Sequence, residues 1–164
     1  MVFCGCPYSS VYKIDAEPQN QVDESYLGKW MGIISPGEGI RSKRVVRMAL
    51  SRKTDFEYDI LFTGHFDELK KYNLAKNDTI RATGFMSYVD GRMFLNARVA
   101  DQNFITVFQY ENDKISILPL NEHFTNRIIK SNEELRRSLL LHFKTRLYPL
   151  FDDQFCLREM TREN

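Results

Sequence analysis

The stretch from Thr79 to Leu120 carries two turn signals whose spacing leaves little freedom of fold. Asp90-Gly91 is the dipeptide of a two-residue hairpin turn, in which both central residues take positive φ. That turn sets Val89 against Arg92, Tyr88 against Met93, Met86 against Leu95, Gly84 against Ala97 and Ala82 against Val99. One face then collects Ile80, Ala82, Met86, Tyr88, Met93, Leu95, Ala97 and Val99. A slip of one residue would turn that set to the other face, so the register is firmly specified. Asn112-Asp113 is a second such turn, placing Glu111 beside Lys114 and setting Tyr110 and Phe108 opposite Ile115 and Ile117. The stretch therefore predicts four consecutive antiparallel strands. Upstream, Ser42 to Arg52 alternates with Val46, Met48 and Leu50 on one face. Phe56 to Gly64 does the same with Phe56, Tyr58, Ile60 and Phe62. Short alternating strands joined by tight turns predict a mainly β chain folded as an antiparallel up-and-down β-barrel.

The rest of the chain closes that barrel. Ser131-Asn-Glu-Glu134 is a capping box, and Leu135, Leu139, Phe143 and Leu147 follow at i+4 steps with Leu140 widening the stripe. A C-terminal helix is predicted over Asn132 to Leu147, about 24 Å long at 1.5 Å per residue, stopped by Pro149. A short extended piece near Phe124 to Ile129 precedes it, and a closing strand over Phe151 to Met160 follows. The polar stretch Asp67 to Asp78 reads as a short helical turn or an irregular connection.

With 164 residues the chain suits one domain with a full core. Its net charge of +1 argues against a nucleic-acid partner, which asks for a concentrated basic surplus. No apolar run reaches the roughly 18–20 residues of a membrane span. Residues 1–25 separate from a domain over residues 26–160: Pro7 to Ser25 is polar, broken by Pro18 and without hydrophobic period, which predicts a flexible tether.

Candidate chemistry is sparse. His65, His123 and His142 fall in different elements, with no second ligand at metal spacing. Asp152 and Asp153 are adjacent, so on a strand they point to opposite faces and cannot share a proton. Cys4, Cys6 and Cys156 form neither a disulfide framework nor a zinc pattern, and Cys156 between Phe155 and Leu157 predicts a buried thiol. Ser35 to Gly39 lacks the Lys-Ser/Thr of a phosphate loop, and no G-x-S-x-G is present. Arg41, Lys43, Arg44 and Arg47 form a local basic cluster, read as a solvated strand face. No catalytic residue, metal or cofactor is predicted, and the expectation is a protein that is not an enzyme.

Two stretches carry a resemblance. Phe3-Cys4-Gly5-Cys6 looks like the end of a bacterial lipoprotein signal, with Cys6 as the lipidated cysteine. Gly28-x-Trp30 resembles the entry to the first strand of a lipocalin. With Ser87 to Asn96 and the late helix, these features resemble lipocalin-like lipoproteins of bacterial envelopes, whose function is poorly characterised. The chain lacks the lipocalin Thr-Asp-Tyr turn, which bears on ligand chemistry and not on the barrel. The resemblance implies lipid anchoring on the periplasmic or outer-membrane face. It also implies a barrel closed by an arginine of the last strand, Arg158, across Trp30.

Two functions fit such a barrel. An eight-stranded barrel holds one small apolar or lipid-like ligand if its interior is not filled. Ala82, Gly84, Met86, Leu95 and Ala97 would line that cavity, the small Gly84 and Ala97 leaving a gap unless an aromatic side chain fills it. The alternative is a structural or protein-interaction lipoprotein with a solid barrel.

Overall fold

The computed structural model describes residues 7–34, 44–64, 66, 70, 75–145, 151 and 155–163. Cys4, Cys6, the Ser35 to Gly39 loop, Arg41, Lys43, His65, most of the 67–78 connection, Leu147, Pro149, Asp152 and Asp153 lie outside the described residues.

Strands β1 (Ser9–Ser10), β2 (Gly28–Ile34), β3 (Arg44–Arg52), β4 (Tyr58–Thr63) and β5 (Thr79–Val89) lead into β6 (Arg92–Val99), β7 (Gln102–Glu111) and β8 (Lys114–Pro119). Helix α1 (Asn132–Thr145) and strand β9 (Leu157–Arg162) follow. Strands β2 to β9 pair antiparallel in sequence order, and β9 pairs back to β2, closing an eight-stranded up-and-down barrel with β1 outside the ring. The hairpin registers are those the turns dictate: Val89 with Arg92, Gly84 with Ala97, Glu111 with Lys114 and Phe108 with Ile117. Asp90, Gly91, Asn112 and Asp113 all have positive φ, the conformation for which these residue types suit such turns.

Alternation splits the sheet between two cores. Inside the ring lie Trp30, Met48, Tyr58, Ile60, Met86, Leu95, Phe108 and Ile115, all nearly solvent-free. Outside it, Val89, Phe94, Ile105, Val107 and Leu118 turn their faces to Leu135 and Leu139 of the helix and to Ile14, Leu120 and Phe124. This second layer covers part of the outward faces of β5 to β8, so those strands are buried on both sides there. The helix is capped as its sequence dictates, Glu134 N–H donating to Ser131 Oγ at 3.1 Å. The return arm differs from a regular capping box, because Glu134 Oε2 accepts from the Lys130 amide at 2.6 Å.

Three expectations need correction. The piece from Phe124 to Ile129 is a chain of bends, not a strand. The closing strand lies later than Phe151 to Met160, since only Leu157–Arg162 can reach both β8 and β2. The largest correction concerns Pro7 to Ser25, which is no tether but a strap along the barrel wall. Ile14 is 2 % exposed, and its amide donates to Asn96 Oδ1 at 2.8 Å. Asn103 donates to the Ser10 and Val11 carbonyls, Asn20 to the Met86 carbonyl, and the Asp23 amide donates to the Tyr58 hydroxyl. Arg136 of the helix clamps Asp15 at 2.6 Å. Beyond the two-residue β1 ladder, side chains of the barrel satisfy much of the strap's backbone, so its sequence needs no hydrophobic period. The compact unit therefore begins well before residue 26.

Candidate functional site

The two ends of the barrel differ. The lower end carries the turns at 90–91 and 112–113, and a 3-10 turn over Glu24–Tyr26 plugs it. Tyr26 packs on Phe108 and Tyr110 with ring centroids 5.1 and 5.2 Å apart, and its carbonyl accepts from Trp30 Nε1 at 2.9 Å. Burial, reinforced by the Asp23 charge, pushes the Tyr26 hydroxyl up to about 12. Burial likewise raises Tyr58. Asp23 itself is lowered by its hydrogen bonds from the Ser25 side chain and amide.

An arginine does cross Trp30, but it is Arg162 and not Arg158. The Arg162 guanidinium lies 4.2 Å from the indole centroid and donates to the Leu27 and Ser25 carbonyls at 2.6 and 2.7 Å. Register decides the matter: Arg162 is the residue paired with Trp30 across β2 and β9. A positive φ at Glu159 and an irregular pairing with β8 shift the strand, so counting along the sequence misplaces the contact. Arg158 is solvent-exposed. Gly28 serves the same clasp: its φ is +130°, and a Cβ there would stand 2.6 Å from Arg162 Nη1.

The expected cavity lining is inside the barrel, yet it encloses no gap at Gly84. Ala82, Met86, Leu95 and Ala97 are all buried in the interior cluster. A Cβ on Gly84 would meet the Asn96 carbonyl at 2.7 Å and Leu95 Cδ1 at 2.9 Å. Neighbouring backbone and the Leu95 side chain take up the space that two small residues leave. The lower part of the barrel is a solid floor.

The upper end is where β2, β4, β6 and β8 finish, and there Phe66 and Ala75 are buried in the interior cluster. Ile34, Phe62, Val99 and Phe104 stand at inward positions of their strands, yet each is only partly buried. Thr106 follows Phe104 on the same inward row of β7, flanked by Leu95 and Pro119 on the adjacent strands. It is 5 % exposed, and its Oγ1 has no hydrogen-bond partner. Neither neighbouring side chain offers one. Among the described residues this end thus sets an unpartnered hydroxyl on an inward row, with the charged Arg44 also at an inward position, opposite Ile34. The alternation Phe104, Thr106, Phe108, Tyr110 contains that signal, a hydroxyl on an inward row, and sequence reasoning passed over it.

Other candidate groups do not converge. His123 is exposed beside Glu122 at 3.1 Å, whereas His142 is buried with Nδ1 donating to the Phe124 carbonyl at 3.1 Å. Among the described residues no group of His, Cys, Asp and Glu is placed to hold a metal ion. Cys156 is buried, and Arg47 of the basic cluster pairs with Glu163 at 2.8 Å. No described helix is long and apolar enough to cross a membrane. The molecule is thus an eight-stranded antiparallel barrel strapped on the outside and plugged at its lower end by the Glu24–Tyr26 turn. Comparison with protein-family models, curated proteins and solved structures finds no match.

Proposed function

We propose that the protein is a non-enzymatic binding protein that takes one small, elongated apolar ligand at the upper end of its barrel, above a solid floor. The single observation that carries this reading is Thr106, a buried hydroxyl without a partner beside side chains that are themselves incompletely covered. Burying a hydroxyl unpaired costs about 1–3 kcal/mol, and a ligand bearing one hydrogen-bonding group would relieve it. An apolar pocket with one or two placed polar groups is the usual composition of a small-molecule site. A fatty acid or a similar lipid-like molecule has that chemistry. The lipocalin-like entry Gly28-x-Trp30 and the arginine clasp across Trp30 support placing the chain beside lipocalin-like proteins of bacterial envelopes. In that setting Cys6 carries the lipid anchor, and replacing Cys6 by Ala in the precursor releases the protein from membranes.

The alternative, a structural or protein-interaction lipoprotein with a filled barrel, is favoured by the solid floor at Leu95 and Tyr58. A titration with the fluorescent probe 11-(dansylamino)undecanoic acid separates the two. The ligand-binding reading expects saturable binding that Val99→Trp weakens at least about tenfold, or 1.4 kcal/mol, by occupying the upper end. Leu61→Trp, on an outward position of β4, leaves it unchanged. Absence of saturable binding, or equal loss in both variants, favours the filled barrel.

A further inference from the structure

We propose that Met93 is a site of reversible oxidation by hydrogen peroxide, whose sulfoxide oxygen is received by the hydroxyls of Tyr88 and Tyr26. The site lies at the lower end of the barrel, away from Thr106, and stands apart from the proposed ligand site.

The Asp90-Gly91 turn sets Tyr88 directly across from Met93. The Tyr88 hydroxyl donates to Met93 Sδ at 3.4 Å. From the plug, the Tyr26 hydroxyl approaches the same sulfur at 3.8 Å. Met93 is the only described methionine that receives hydrogen bonds at sulfur. A thioether is a weak acceptor, so two phenol donors that converge on one are poorly satisfied there. Among the described residues the Tyr88 hydroxyl has no other hydrogen bond within the protein.

Access separates Met93 from the methionines of the interior. It is half-buried and lines a cleft of about 390 Å³ together with Tyr88, Arg92, Gln109 and Glu111. The ladder between β6 and β7 stops at Phe94 and Val107, so Met93 lies just past its last pair. Hydrogen peroxide is little larger than water and enters a cleft of that size. Met48, Met86 and Met160, at most 2 % exposed in the interior cluster, are shielded from it.

The sulfur lone pair attacks one peroxide oxygen, and an S–O bond forms as the O–O bond breaks. The proton on the transferred oxygen passes to the departing hydroxide, which leaves as water. Sulfur is oxidised by two electrons and the peroxide is reduced. In most cores the resulting sulfoxide is a polar group that disrupts packing. At Met93 the donors are already in place. The new oxygen projects one short bond from the sulfur, so small rotations bring both hydroxyls to the about 2.7–2.8 Å of an O–H···O bond. Oxidation therefore ties the Tyr26 plug and β5 more firmly to β6, and methionine sulfoxide reductases reverse it.

The whole chain and its Met93→Leu variant, treated in parallel with hydrogen peroxide, test the site, with oxidised positions read by peptide mass spectrometry. Met93 should carry the sulfoxide while Met48, Met86 and Met160 remain thioethers. On oxidation the wild-type melting temperature should rise by at least about 2 °C relative to Met93→Leu, whose own change accounts for oxidation elsewhere. Tyr88→Phe, at an exposed position, should lose at least half of that rise. Its S=O stretching band should also move to higher wavenumber, because the oxygen has lost a hydrogen bond. Oxidation of Met93 no sooner than the interior methionines overturns the proposal. So does a smaller rise or a fall in melting temperature, or a rise and an S=O band that Tyr88→Phe leaves unchanged.

Discussion

Replacing Thr106 by Val should make the barrel more stable and its ligand site weaker, a combination that few core substitutions give. The hydroxyl is buried, unpaired and flanked by Leu95 and Pro119. Valine keeps the β-branched shape and the strand preference of threonine, so packing is nearly conserved. Removing an unsatisfied buried hydroxyl should recover about 1–2 kcal/mol of the roughly 1–3 kcal/mol it costs. For a chain of this size that raises the melting temperature by roughly 2–4 °C per kcal/mol. Urea unfolding followed by the fluorescence of Trp30, the single tryptophan, measures the change, with an unaltered denaturant slope. The same variant should bind the dansyl acid about twofold to tenfold more weakly, because one hydrogen bond of about 0.5–1.5 kcal/mol is lost. A variant less stable than wild type by half a kcal/mol or more would show that the hydroxyl already has a partner, an ordered water for instance, and the reasoning from an orphan group would be refuted.

Arg162→Lys should lose about 0.5–2 kcal/mol and shift Trp30 emission although the charge is kept, because a lysine cannot stack and fork at once. Arg158→Lys, measured in the same way, should leave the emission unchanged. Asn96→Ala should cost about 1–3 kcal/mol, since it strands the Ile14 amide at a buried site. Limited proteolysis of that variant should cut first within 8–20. Stability should fall as pH rises from 10 towards 12. There the unfolded chain loses its tyrosine protons while folded Tyr26, raised to about 12, keeps its own, so the folded state binds more protons. Tyr26→Phe should flatten that fall in a series of pH-jump melts.

What the sequence determined by itself was everything local. Asp90-Gly91 and Asn112-Asp113 set the hairpin registers, because only such residues occupy two successive positive-φ positions cheaply and a period of two ties each register to its buried face. Ser131 and Glu134 set the helix start, and the i+4 leucines its buried stripe. Tertiary structure decided what depends on contacts between distant segments. The strap was illegible because Pro7 to Ser25 has no pattern of its own. Its order comes from Asn96, Asn103 and Arg136, which lie 82 to 121 residues away in its hydrogen bonds to Ile14, Ser10, Val11 and Asp15. The clasp was legible in kind but not in position, since a backbone irregularity in β9 moved the stacking arginine from Arg158 to Arg162. The site itself turned on packing. Whether Gly84 opens a gap and whether Thr106 finds a partner depend on side chains from three strands meeting at one point, and pairwise spacing along a chain does not contain that sum.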